Sequence, residues 1–104
     1  MTTVGFVDTT LRDLTTFPWG SRIAADDVAV AGAALARCGA RALEVVDPRS
    51  ARAVLQLRTE SPWDRVRAVV RHAGTTPVGV VVHGRLLWSD HPVSDEVCRR
   101  LSGF

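Results

Sequence analysis

Lysine, tyrosine and asparagine are absent from the sequence, so all thirteen Lys or Arg positions are arginine. Without a lysine the chain cannot form a Schiff base or carry a carbamylated lysine. Cysteine occurs twice, at Cys38 and Cys98, with no spacing that would suit a zinc knuckle. Both positions fall in segments read as helical and are expected to be buried, reduced thiols. No apolar run approaches the length of a membrane span. Nor does a basic segment followed by an apolar stretch and a small-residue cleavage site open the chain. The expected protein is soluble and cytoplasmic. The formal charge is only +2, with acids and bases interspersed, which argues against nucleic acid or a membrane as partner.

What is present suits one modest core: 104 residues, 46% of them hydrophobic, are expected to form a single domain over residues 1–104. The organising stretch is Val4-Gly5-Phe6-Val7-Asp8-Thr9-Thr10-Leu11-Arg12-Asp13. An apolar run ends in acids, hydroxyls and an arginine, and in parallel α/β proteins the working residues lie just past the C-terminal end of a strand. The first strand is expected over about 3–7. A long connection from Asp8 to Ile23 follows, where Phe17-Pro18-Trp19-Gly20 argues against a helix.

A helix is expected from about Ala25 to Cys38, acidic at its start and basic near its end. Val28, Ala31, Leu35 and Cys38 would form its buried stripe, and Gly39 would end it. Arg41 to Val46 reads as a second strand. Asp47 is placed to cap a helix opened by Pro48 and running to about Arg58, and Ser61-Pro62 repeats that signal for another. In this next helix Val66, Val69, Val70 and Ala73 share a face, and Gly74 stops it. Val78 to Val82 is the third strand. Ser94 would cap a last helix with Val97, Cys98 and Leu101 inward. Three βα units give an α/β fold, a partial TIM-barrel-like (βα)3 arrangement of three parallel strands with flanking helices, too few to close an eight-stranded barrel.

Asp8-Thr9-Thr10-Leu11-Arg12-Asp13 resembles the first-strand signature of the biotin-dependent carboxyltransferase barrels: the pyruvate carboxylase carboxyltransferase domain, the oxaloacetate decarboxylase α subunit and the transcarboxylase large subunit. The same signature is shared with the wider hydroxymethylglutaryl-CoA lyase-like superfamily. Leu43-Glu44-Val45 and Ser61-Pro62-Trp63-Asp64-Arg65-Val66-Arg67 are similar to the carboxyltransferases in particular, which carry a Leu-Glu-Val strand and a Pro-Trp-Glu-Arg-Leu-Arg helix start at that spacing. The resemblance implies that Asp13 is a ligand of a catalytic divalent metal (Zn, Mn or Co) and that Arg12 is the catalytic group holding substrate or its enolate. A carboxylate is a suitable hard ligand, and a guanidinium can hold a keto acid carboxylate in a fork. The residues alone leave other roles open: Asp13 can equally cap or bond the loop, and Arg12 can pair with Asp8 or Asp13.

The departures from the family pattern fall in substrate-facing stretches. Where the family has Ala-His-Gln-Ser, this chain has Leu14-Thr15-Thr16-Phe17, so Thr16 stands at the place of the substrate-binding glutamine. The Gly-Gly-Ala-Thr-Phe-Asp stretch becomes Asp47-Pro48-Arg49-Ser50-Ala51-Arg52. The Arg-Gly-x-Asn stretch becomes His83-Gly84-Arg85-Leu86, which makes His83 and Arg85 the further candidates for substrate binding. The family's other ligands, a His-x-His pair and a carbamylated lysine from later strands, have no counterpart here.

The first expectation is therefore a truncated carboxyltransferase-like subunit, active only beside a complementary chain, with biotin carried by another chain. The alternative is a non-catalytic assembly or regulatory module of the same ancestry. A third use is small-ligand or anion binding by Arg12, Arg49 and Arg85. His83 with His91 gives an unsupported metal pair, and His72 late in a helix reads as a surface residue or dipole partner. Open sheet edges and uncovered barrel faces predict a homo- or hetero-oligomer, with a companion carboxyltransferase chain or a biotin carrier as the partner.

Overall fold

The computed structural model describes residues 2–17, 19–58, 60–82 and 94–102, the side chains of residues 98, 101 and 102 excepted. The fold is α/β. Strands β1 (Val7–Asp8), β2 (Ala42–Val46) and β3 (Val78–Val80) form an open sheet in the order β1-β2-β3. Both pairings are parallel, with Val7 opposite Ala42, Leu43 opposite Val78 and an irregularity between Glu44 and Val46. Parallel neighbours need crossovers, and the helices supply them: α1 (Thr10–Thr16) and α2 (Ala25–Arg37) between β1 and β2, then α3 (Pro48–Arg58) and α4 (Pro62–His72) between β2 and β3. Helix α5 (Asp95–Ser102) follows. A single 3₁₀ turn, Gly20–Arg22, joins α1 to α2.

The core lies where α1, α2 and α4 meet β2. Leu11, Val28, Leu43, Val45, Val46, Val66 and Val69 are buried there, with Trp63 and Leu35 partly buried against them. Gly32 on α2 permits close packing: a Cβ at that position would meet Val69 at 2.9 Å and Leu11 at 3.4 Å. Gly39 and Gly74 take positive φ, 86° and 63°, just after the ends of α2 and α4, as a left-handed helix stop requires. Asp47 and Ser50 cap α3 reciprocally. The Ser50 N–H donates to Asp47 Oδ1 and the Asp47 N–H to Ser50 Oγ, each at 2.8 Å.

Several expectations need correction. The stretch after β1 is not all loop: α1 occupies Thr10–Thr16 and ends before the proline and glycine that argued against a helix. On α2 the buried positions are Val28, Ala29 and Gly32, so the stripe is rotated from the expected one. Cys38 is exposed, its thiol bonded to the Ala34 carbonyl at 3.3 Å. Ser61 is the N-cap of α4, but its side chain makes no capping bond. Val70 is half exposed, and in α5 so is Val97. The first strand begins at Val7, not Thr3, and the third ends at Val80. Val82 is exposed.

Candidate functional site

The sequence Asp8 to Asp13 passes from the end of β1 into α1, and its polar groups are fixed locally before anything else touches them. The Asp8 carboxylate accepts from the Thr10 N–H at 2.8 Å, an Asx turn just ahead of α1, whose N-cap is Thr9. Thr9 Oγ1 donates to Asp13 Oδ2 at 2.9 Å, and the Asp13 N–H returns to the Thr9 carbonyl at 2.9 Å. Arg12 lies beside Asp13, with Nε donating to Oδ1 at 3.2 Å.

Glu44 comes from the neighbouring strand. The parallel register sets Asp8, the last residue of β1, opposite Leu43, so Glu44 follows just beyond the end of β1, and Arg12 Nη1 donates to Glu44 Oε2 at 2.5 Å. The Arg12 and Glu44 side chains are 25% and 27% exposed, whereas Asp13 is 58% exposed. Half-burial makes the Arg12–Glu44 bond stronger than an ordinary surface pair, which is worth about 0–1 kcal/mol. The guanidinium is thus oriented by two carboxylates from two elements, through Nε and Nη1.

Asp13 fits one corner of a metal centre, because each of its oxygens accepts one bond and keeps lone-pair capacity toward solvent. Among the described residues no group of three or more His, Cys, Asp or Glu could hold a metal ion. Asp8 and Glu44 are engaged by Thr10 and Arg12. Thr16 lies one turn beyond Arg12, but its hydroxyl bonds back to the Arg12 carbonyl at 3.1 Å. His83, Arg85 and His91 lie outside the described residues. His72 is exposed on α4, its Nδ1 2.8 Å from the Ala68 carbonyl. Arg49 is exposed on the first turn of α3.

A second polar cluster went unread in the sequence. Arg65, on the buried face of α4, is fully buried, beside Glu60 and Arg58. Burial pulls the pKa of its guanidinium below the usual arginine range; Glu60 opposes that shift and Arg58 adds to it. The available signal was Arg65 sitting one residue before Val66 and one turn before Val69, on the apolar stripe itself.

Fold and site together define an α/β chain of parallel βα units with an acid–arginine cluster at the C-terminal end of its first strand. Among the described residues no helix is long and apolar enough to cross a membrane. No family model, curated protein or solved structure matches the chain.

Proposed function

We propose that this chain is a carboxyltransferase-like subunit that contributes part of a metal-dependent barrel for carboxyl transfer to, or decarboxylation of, a keto acid or acyl-CoA. The observation that carries the proposal is the Asp13–Arg12–Glu44 cluster, which sets an accessible carboxylate beside an oriented guanidinium at the strand end where α/β enzymes work. In this reading Asp13 ligates the divalent metal, and Arg12 holds the substrate carboxylate or the enolate left when the carboxyl group departs. The metal's part is to stabilise that enolate charge. The remaining ligands come from further polypeptide, assigned here to a complementary chain, and biotin is carried on another chain. The 104 residues alone are therefore inactive.

A second reading, a non-catalytic assembly or regulatory module of the same ancestry, is favoured by Thr16, whose hydroxyl is bonded to its own helix, and by the two carboxylates already on Arg12. One experiment separates the two: the mass and metal content of the native complex, for the parent and for Asp13→Ala. The first reading expects a companion chain bearing His-x-His and lysine, with bound metal that is lost in Asp13→Ala. A particle of this chain alone that takes up no Zn, Mn or Co in calorimetry overturns it in favour of the second.

A further inference from the structure

Two arginines from distant parts of the chain hold the 3₁₀ turn between α1 and α2. Arg65 donates from Nη2 to the Ser21 carbonyl at 3.0 Å and also to the Ile23 carbonyl. Arg58, the last residue of α3, donates from Nη1 to the Arg22 carbonyl at 2.6 Å. Three consecutive carbonyls therefore end on guanidinium groups. Glu60 stands between the two cations, with Oε2 2.9 Å from Arg58 Nε and Oε1 3.9 Å from Arg65 Nε. The Arg65 side chain is 0% exposed. Burying a charge so completely is costly unless pairing and hydrogen bonds offset it, and an apolar residue of similar volume would often pack at least as stably. What the guanidinium supplies that an apolar residue cannot is a hold on the backbone of the turn.

That hold reaches the candidate site through α1. At Gly20 a Cβ would lie 1.9 Å from the Leu14 carbonyl oxygen, so the turn rests directly on the end of α1. The Phe17 N–H bonds to the Leu14 carbonyl at 3.2 Å, and the Ser21 N–H to the Phe17 carbonyl at 3.0 Å. No flexible side chain separates the clamped turn from the helix that carries Arg12 and Asp13.

We infer that Arg65, with Glu60 and Arg58, is a positioning clamp that acts through the 3₁₀ turn to set where α1 presents Arg12 and Asp13. The importance of this for catalysis rests on the function proposed above; the clamp itself does not.

The test is residue-resolved amide hydrogen exchange on the 104-residue chain and on Arg65→Lys, Arg65→Ala and Glu60→Gln. Local opening raises exchange only in the element released. In Arg65→Lys, which keeps the charge on a shorter side chain without the Nη2 that bonds both carbonyls, amides of residues 13–16 are expected to exchange roughly tenfold faster while those of α2 and β2 stay near parent rates. Glu60→Gln changes the same amides by less. Ethylguanidinium added to Arg65→Ala restores protection of residues 13–16, and ethylammonium does not. If Arg65→Ala does not fold, the other two variants decide by the same readout. Unchanged protection of residues 13–16 in folded Arg65→Lys overturns the clamp. An equal loss across α1, α2 and β2 also overturns it, by reducing Arg65 to global stability. Because exchange is read without substrate or metal, failure of Asp13 to bind metal would remove the catalytic reading and leave this result standing.

Discussion

Glu44 sits on the middle strand with its carboxylate on Arg12 Nη1, and that bond ties helix α1 to β2. Glu44→Ala leaves a half-buried guanidinium with Asp13 as its remaining described carboxylate partner. The expected loss is about 1.5–3 kcal/mol of unfolding free energy, the range for hydrogen bonds to charged groups, read by urea denaturation with an unchanged slope. Glu44→Gln keeps an acceptor and should lose less. A change below about 0.5 kcal/mol in Glu44→Ala would mean the pair is solvent-screened like an ordinary surface bridge. The partnership was only partly legible in sequence. Glu44 could be placed near a strand end as a partner for some arginine, but which arginine depends on strand register, a tertiary quantity.

Helix α1 is the element that sequence reading missed, and the reason is local. Proline and glycine at residues 18 and 20 bar a helix only where they stand, and seven residues of helix fit before them. Its start is marked by Asp8, whose carboxylate takes the Thr10 N–H. Its end rests against Gly20, and Gly20→Ala is expected to be among the most damaging small substitutions in the chain. The added Cβ would meet the Leu14 backbone carbonyl, not a side chain that could turn aside. A cost of about 3 kcal/mol or more is expected, at or beyond the usual overpacking range, with α1 amides losing protection first. Gly32→Ala is the control. Its clash is with Val69 Cγ1 at 2.9 Å, a buried β-branched side chain with little room to give, but it gains helix propensity of about 1 kcal/mol, so the loss should be smaller than at Gly20.

At the scale of the molecule, β1 pairs with β2 along one edge, and Val4, Phe6 and Val7 near the other are exposed, Phe6 at 74%. An open edge with apolar side chains favours association. On the proposal that this edge is where the chain associates, Phe6→Glu is expected to weaken that association by at least about tenfold, read by sedimentation velocity. The circular dichroism spectrum should be unchanged. Equal association of parent and variant would place the interface elsewhere. The exposed Trp19 and Phe17 next to α1 are the natural second substitutions.

The amino-acid sequence by itself determined the α/β alternation, the parallel sheet, the cap of α3 at Asp47 and the glycine stops at Gly39 and Gly74. These depend on periodicity, capping chemistry and backbone freedom within a few residues of chain. It also marked Arg12 and Asp13 as the residues at the end of the first strand. The tertiary structure decided which groups meet: Glu44 on Arg12, two arginines on one turn, Gly20 against Leu14. It also rotated the buried stripe of α2, since a helix face is chosen by what lies opposite it. Arg65 shows the difference most plainly. In the sequence it is one arginine among thirteen, and only the packing of α4 against the turn makes it a buried charge with backbone carbonyls to hold.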